Sequence, residues 1–136
     1  MISNTSMCIH RVLEGVIQEF VLTEASRPAV DTLFNSVEQL MAEAYERNDM
    51  SIIAGRFLLD SSIGILPLNY AFARARMMAK KFPSHPQSRT ALLFPRSPLV
   101  RTIDFSLRTL VSVRFFSIDE RETALMWLRA GVAAKH

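Results

Sequence analysis

A single cysteine, Cys8, excludes an internal disulfide and any cysteine-built zinc site, so its thiol reads as buried or idle. Glycine is equally scarce, with four residues in 136, and neither G-x-G-x-x-G nor G-x-x-x-x-G-K-[ST] occurs. Little room is left for a phosphate-cradling loop. No run of about 18 apolar residues is present, and the opening MISNTSMCIHR lacks the basic-then-apolar order of a signal peptide. A soluble, cytoplasmic chain is the expectation. The three histidines, His10, His85 and His136, fall on an expected strand, in a proline-containing loop and at the chain end, without the spacing of a metal pair. Ser62 has no histidine near it in sequence. These absences lead us to expect no metal, no cofactor and no catalytic activity.

What remains is an ordinary globular composition, 49% hydrophobic and 21% charged. A chain of this length buries about two thirds of its unfolded surface around one core, and residues 1–136 read as one domain with frayed ends at 1–6 and 131–136. Charge is unevenly distributed. Residues 1–60 hold nine acids against four Lys or Arg, a net of −5; residues 61–136 hold twelve Lys or Arg against four acids, a net of +8. Such asymmetry marks either contact with nucleic acid or membrane, or attraction between two faces of the molecule or two copies of it. The second is the expectation.

The chain divides into regular elements. In CIHRVLEGVIQEFVLTEAS two β-rich runs, 8–13 and 16–22, flank Glu14-Gly15 and predict an antiparallel hairpin. After Ser26 and Pro28, residues Val30, Leu33, Phe34, Val37, Leu40, Met41, Ala44 and Tyr45 share one helical arc. SIIAGRFLL, residues 51–59, predicts a buried central strand. Pro67 opens a second helix whose inner arc is Leu68, Ala71, Phe72, Ala75, Met78, Ala79 and Phe82. RTALLFP reads as a strand, and Ser97-Pro98 cap a third helix that packs through Leu99, Val100, Ile103, Leu107, Leu110 and Val111. SVRFFS is the last strand. Ser117 and Glu120 have capping-box spacing at the start of a final helix packed through Ala124, Leu125, Trp127 and Leu128. The fold expected is α/β: an N-terminal antiparallel hairpin joined to a mixed, largely parallel sheet, with about four helices.

The succession of hairpin, helix, strand, D-S-S corner, helix, strand, helix, strand and helix resembles the STAS domain, the fold of bacterial anti-sigma-factor antagonists of the SpoIIAA type, along nearly the whole chain. SRTALLFPRSPLVRTIDFSLRTL followed by VRFFSIDERETALMWL is similar to the ending of uncharacterised SpoIIAA-like bacterial proteins. The resemblance implies a regulatory module that binds a protein partner, a kinase or anti-sigma factor, through the corner and the helix after it. Asp60, Ser61 and Ser62 match the D-S-S of the family's D-S-S-G-L-G, whose second serine is the phosphorylated one. Ile63 stands where the first glycine is, and Gly64 comes one position late. A glycine there permits a tight turn and close approach of a kinase, and an isoleucine alters both. A phosphate on Ser62 would bring about −1.5 to −2 charges to the entrance of the second helix, favoured by its N–H groups and opposed by Asp60. Asp and Ser also cap helices in this position with no further role, which is the default reading.

Two outer surfaces complete the candidates. On the second helix Tyr70 and Met77, with Arg74 beside them, fall outside the inner arc and predict a face for a protein partner or a homodimer. On the third, Arg101, Phe105 and Arg108 form a basic-aromatic stripe suited first to a dimer contact and second to an anionic lipid or nucleic-acid surface. An alternative function of another class is binding of a small apolar ligand or lipid between helices and sheet. Seven Met and nine Phe would line such a site, although they fill cores equally well.

Overall fold

A computed structural model describes residues 7–61, 63–64, 67–83, 85–95 and 113–133. The hairpin forms as its sequence predicts: β1 (Cys8–Leu13) and β2 (Ile17–Leu22) pair antiparallel from Cys8 opposite Leu22 to Leu13 opposite Ile17. Glu14 and Gly15 turn the chain with φ of 53° and 74°, and Val16 N–H donates to the Leu13 carbonyl at 3.0 Å. Helix α1 (Arg27–Arg47) starts where the Ser26 hydroxyl accepts the Ala29 N–H at 3.2 Å, and it ends at Asn48, a left-handed residue with φ 56°. Its buried stripe of Val30, Leu33, Phe34, Val37, Met41 and Ala44 follows the predicted arc. Tyr45, at the end of that arc, is 40% exposed and stacks on Phe82.

The run 51–59 is not a single strand. Its first part belongs to a short helix, α2 (Met50–Ile53), and the strand, β3, is Arg56–Asp60. The Asp49 carboxylate accepts the Ser51 N–H at 3.2 Å and the Ser51 hydroxyl at 2.5 Å, which starts a helical turn that hydrophobicity alone does not reveal. Gly55 then lets the chain leave that turn for the sheet: a Cβ there would stand 2.7 Å from the Ser51 carbonyl oxygen.

The sheet has the order β1-β2-β3-β4-β5, with β3 central as expected. β2, β3, β4 (Arg89–Phe94) and β5 (Val113–Ser117) run parallel to one another, so the sheet is mixed. Helix α3 (Leu68–Lys81) lies between β3 and β4 in sequence, with Pro67 at its cap. The helix expected after Ser97-Pro98 lies outside the described residues. β5 leads through a 3₁₀ turn, Ile118–Glu120, into α4 (Arg121–Ala133), and the capping box of Ser117 and Glu120 is formed.

Alternation along the strands feeds two cores. On one face Phe20, Leu22 and Phe57 meet the buried side of α1, with Ala71, Ala75 and Met78 of α3 packed beside them. On the other, Ile17, Leu58, Ala91, Leu93 and Phe116 meet Ala124, Leu125 and Leu128 of α4. Phe20, Ile17 and Leu58 are wholly buried, and burial of each such side chain contributes roughly 1.5–3 kcal/mol. Cys8 is buried on the α1 side, where loss of water pushes its thiol up to about 11. Among the described residues no helix is long and apolar enough to cross a membrane.

Candidate functional site

Asp60 ends β3, which sets it at the carboxyl edge of the parallel strands, where open α/β sheets gather ligands. Its carboxylate accepts from Arg121 Nη1 at 3.3 Å, and Arg121 Nη2 reaches Glu19 at 2.5 Å. Glu19 is wholly buried and also pairs with Arg11, its cross-strand neighbour. The chain Arg11, Glu19, Arg121, Asp60 thus ties β1, β2 and β3 to the start of α4. Burying a carboxylate costs several kcal/mol unless it is paired, so these arginines are what permit Glu19 in the core.

Ser61 is also committed. It is 2% exposed, its N–H donates to the Leu93 carbonyl at 2.9 Å, and its hydroxyl donates to the Gly64 carbonyl at 3.3 Å. The Gly64 N–H returns to the Ser61 carbonyl at 3.4 Å and closes the turn. Among the described residues of this turn, Ile63 is exposed, at 59%. Ser62 lies outside the described residues. Sequence reasoning found Asp60 and Ser61 but missed Glu19 and Arg121; the signal was a lone acid inside the apolar strand IQEFVL.

The expected outer face of α3 is corrected at two of three positions. The Tyr70 hydroxyl donates to Asp31 at 2.5 Å, and Arg74 pairs with Asp31 and Glu38 and donates to Asn35 at 3.0 Å. Both side chains therefore turn onto α1, because α1 presents acids along the flank that α3 covers. The Tyr70 hydroxyl and Arg74 hold the Asp31 carboxyl below its ordinary value, and the same bond to Asp31 raises the Tyr70 phenol. Arg74 also lies over the Phe34 ring, 5.6 Å from its centre. Met77 alone of the three is exposed, at 56%. Arg101, Phe105 and Arg108 fall outside the described residues.

Part of the uneven charge of the sequence is met inside the chain. Arg74 with Asp31 and Glu38, Lys81 with Glu38, Arg121 with Glu19 and Asp60, and Arg129 with Glu14 all join the basic half to the acidic half.

On the side of the sheet that meets α1 and α3, a cavity of about 100 Å³ opens between these helices and the strands. Leu33 and Val37 form one wall, Phe57 and Leu59 the floor and Phe82 the other wall, with His85 and Thr90 among its polar residues. His10 is elsewhere, stacked on Phe20 at 4.3 Å with its Nε2 2.7 Å from Gln18 Oε1. Among the described residues no three His, Cys, Asp or Glu side chains gather as a metal site would require. No protein-family model matches the chain, and neither the curated proteins nor the solved structures contain a match to it.

Proposed function

We propose that the protein is a STAS-like, non-catalytic regulatory module of the cytoplasm that docks a protein partner through the corner between β3 and α3. The observation that carries this is Ile63, a large aliphatic side chain 59% exposed on a turn whose neighbour Ser61 is buried and hydrogen-bonded. A preordered turn loses little entropy on binding, and an aliphatic tip supplies an apolar anchor. Met77 extends the contact along α3, while Asp60, Ser61, Tyr70 and Arg74 act as supports. Phosphorylation of Ser62, next to Ile63 in the chain, would set charge beside that anchor and weaken the contact. A kinase or anti-sigma factor is the partner class that the resemblance supplies.

The test is photo-crosslinking in cells with benzoylphenylalanine in place of Ile63, of Met77 and, as a control, of Glu46, which is exposed on α1. One protein adduct shared by positions 63 and 77 and absent at 46 is the expected result. No adduct at 63 above the level at 46 would overturn the proposal.

A further inference from the structure

We propose that the cavity between α1, α3 and β3 binds a small neutral apolar molecule, one ring in size, that carries a single hydroxyl or carbonyl oxygen placed against His85. This is separate from docking at the corner. Phe57 and Leu59 line the cavity from the sheet face that meets α1 and α3, whereas Asp60 pairs with Arg121 of α4.

Size sets the first limit on the occupant. The cavity measures about 100 Å³, and an engineered apolar cavity of about 150 Å³ accepts benzene. With its mouth open to solvent, the present one takes a single ring whose substituent reaches the rim. Charge sets the second limit. Among the described residues no carboxylate, lysine or arginine lines the cavity, so an ionic ligand would meet no partner there and lose its hydration. The thioethers of Met41 and Met78 supply the adaptable, polarisable contacts that rings favour.

One end of the cavity is polar. His85 Nδ1 accepts the Gln87 N–H at 3.1 Å, which places the proton of the neutral imidazole on Nε2. The Ser88 hydroxyl and N–H both donate to the His85 carbonyl at 3.0 Å and fix the loop. Nε2–H is then the donor for a ligand oxygen, with Thr90 on the same lining. A few placed polar groups in an apolar pocket are what orient a small ligand. Tyr45 secures the wall by stacking on Phe82 and donating to the Pro83 carbonyl at 3.4 Å.

The experiment is a methionine-methyl NMR titration of the full chain with phenol and, separately, benzene. Met41 and Met78 report the cavity, while Met77 and Met126, 56% and 65% exposed, report non-specific contact. Phenol should shift Met41 and Met78 saturably, with Kd on the order of 1 mM for so small a ligand, and leave Met77 and Met126 in place. It should bind several-fold tighter than benzene, and His85→Ala should abolish that preference while benzene binding persists. No saturable shift at Met41 and Met78 up to about 20 mM phenol would overturn the site, since even a ligand of this size exceeds that limit in a fitted cavity. Equal shifts at all four methionines would overturn it too. Equal affinity of wild type for phenol and benzene would overturn the assignment of His85.

Discussion

Arg121, at the first turn of α4, holds the wholly buried carboxylate of Glu19 at 2.5 Å from 102 residues further along the chain. The same guanidinium reaches Asp60 at 3.3 Å, so one side chain fixes α4 to both β2 and β3. Stability and the geometry of the corner are therefore linked through Arg121.

Arg121→Ala leaves Glu19 with Arg11, whose side chain is 59% exposed. Breaking a buried pair costs about 3–5 kcal/mol, and Arg121 is itself 36% exposed, so water takes part of its place. A loss of about 2 kcal/mol in urea denaturation is expected, with a smaller loss for Arg11→Ala. Equal losses in the two variants would contradict a leading role for Arg121.

Arg56 is 3% exposed, and the hydrogen-bond partners of its guanidinium are backbone carbonyls: Ala54 and Gly55 at 3.2 Å, Gln87 at 2.5 Å and Leu128 at 3.2 Å. Burial, with the nearby Arg89 adding repulsion, lowers its basicity. A planar fork satisfies acceptors in several directions, whereas an ammonium is a point donor. Arg56→Lys should therefore cost about 2 kcal/mol by stranding buried carbonyls. A urea midpoint equal to that of wild type would show that lysine reaches the same acceptors.

Asp31 has its folded pKa lowered by the Tyr70 hydroxyl and Arg74. The stability it contributes is present above the unfolded carboxyl value, about 3.9, and is lost as pH falls through the lower folded value. The difference in thermal midpoint between wild type and Asp31→Asn should be largest near neutrality and shrink below about pH 4. A difference that grows on acidification would reverse the sign of this linkage.

Gly55 has no room for a side chain: a Cβ would lie 2.7 Å from the Ser51 carbonyl oxygen and 2.9 Å from that of Ile52, both fixed backbone atoms. Gly55→Ala should cost about 1–3 kcal/mol. Gly15, at φ 74° with no atom within 4 Å of where a Cβ would stand, should accept asparagine with little loss. Thermal melts of the two variants check the contrast.

Much of the fold was legible because burial imposes a period on sequence. The arc from Val30 to Ala44, the β-rich run before Thr23 and the apolar run RTALLF place their elements within a residue or so. SIIAGRFLL misled because a short apolar run has no period of its own, and the cap at Asp49 stands one residue before Met50 begins α2. Tyr70 and Arg74 lie outside the apolar arc of α3, yet they face α1, because the acids that receive them stand about 40 residues earlier in the chain. No single-helix pattern contains that pairing. Ser61 was legible as part of the corner, but its burial depends on Leu93 in a neighbouring strand. A site between helices and sheet was legible from the Met and Phe content only as an alternative, because its lining reads as ordinary core and a void is a property of how the elements meet.

The most direct measurement is affinity capture from the source organism's lysate with wild-type, Ile63→Ser and Ser62→Asp baits. Docking through the corner predicts one stoichiometric protein retained by wild type and lost from both variants. Identical retention by all three baits would contradict it.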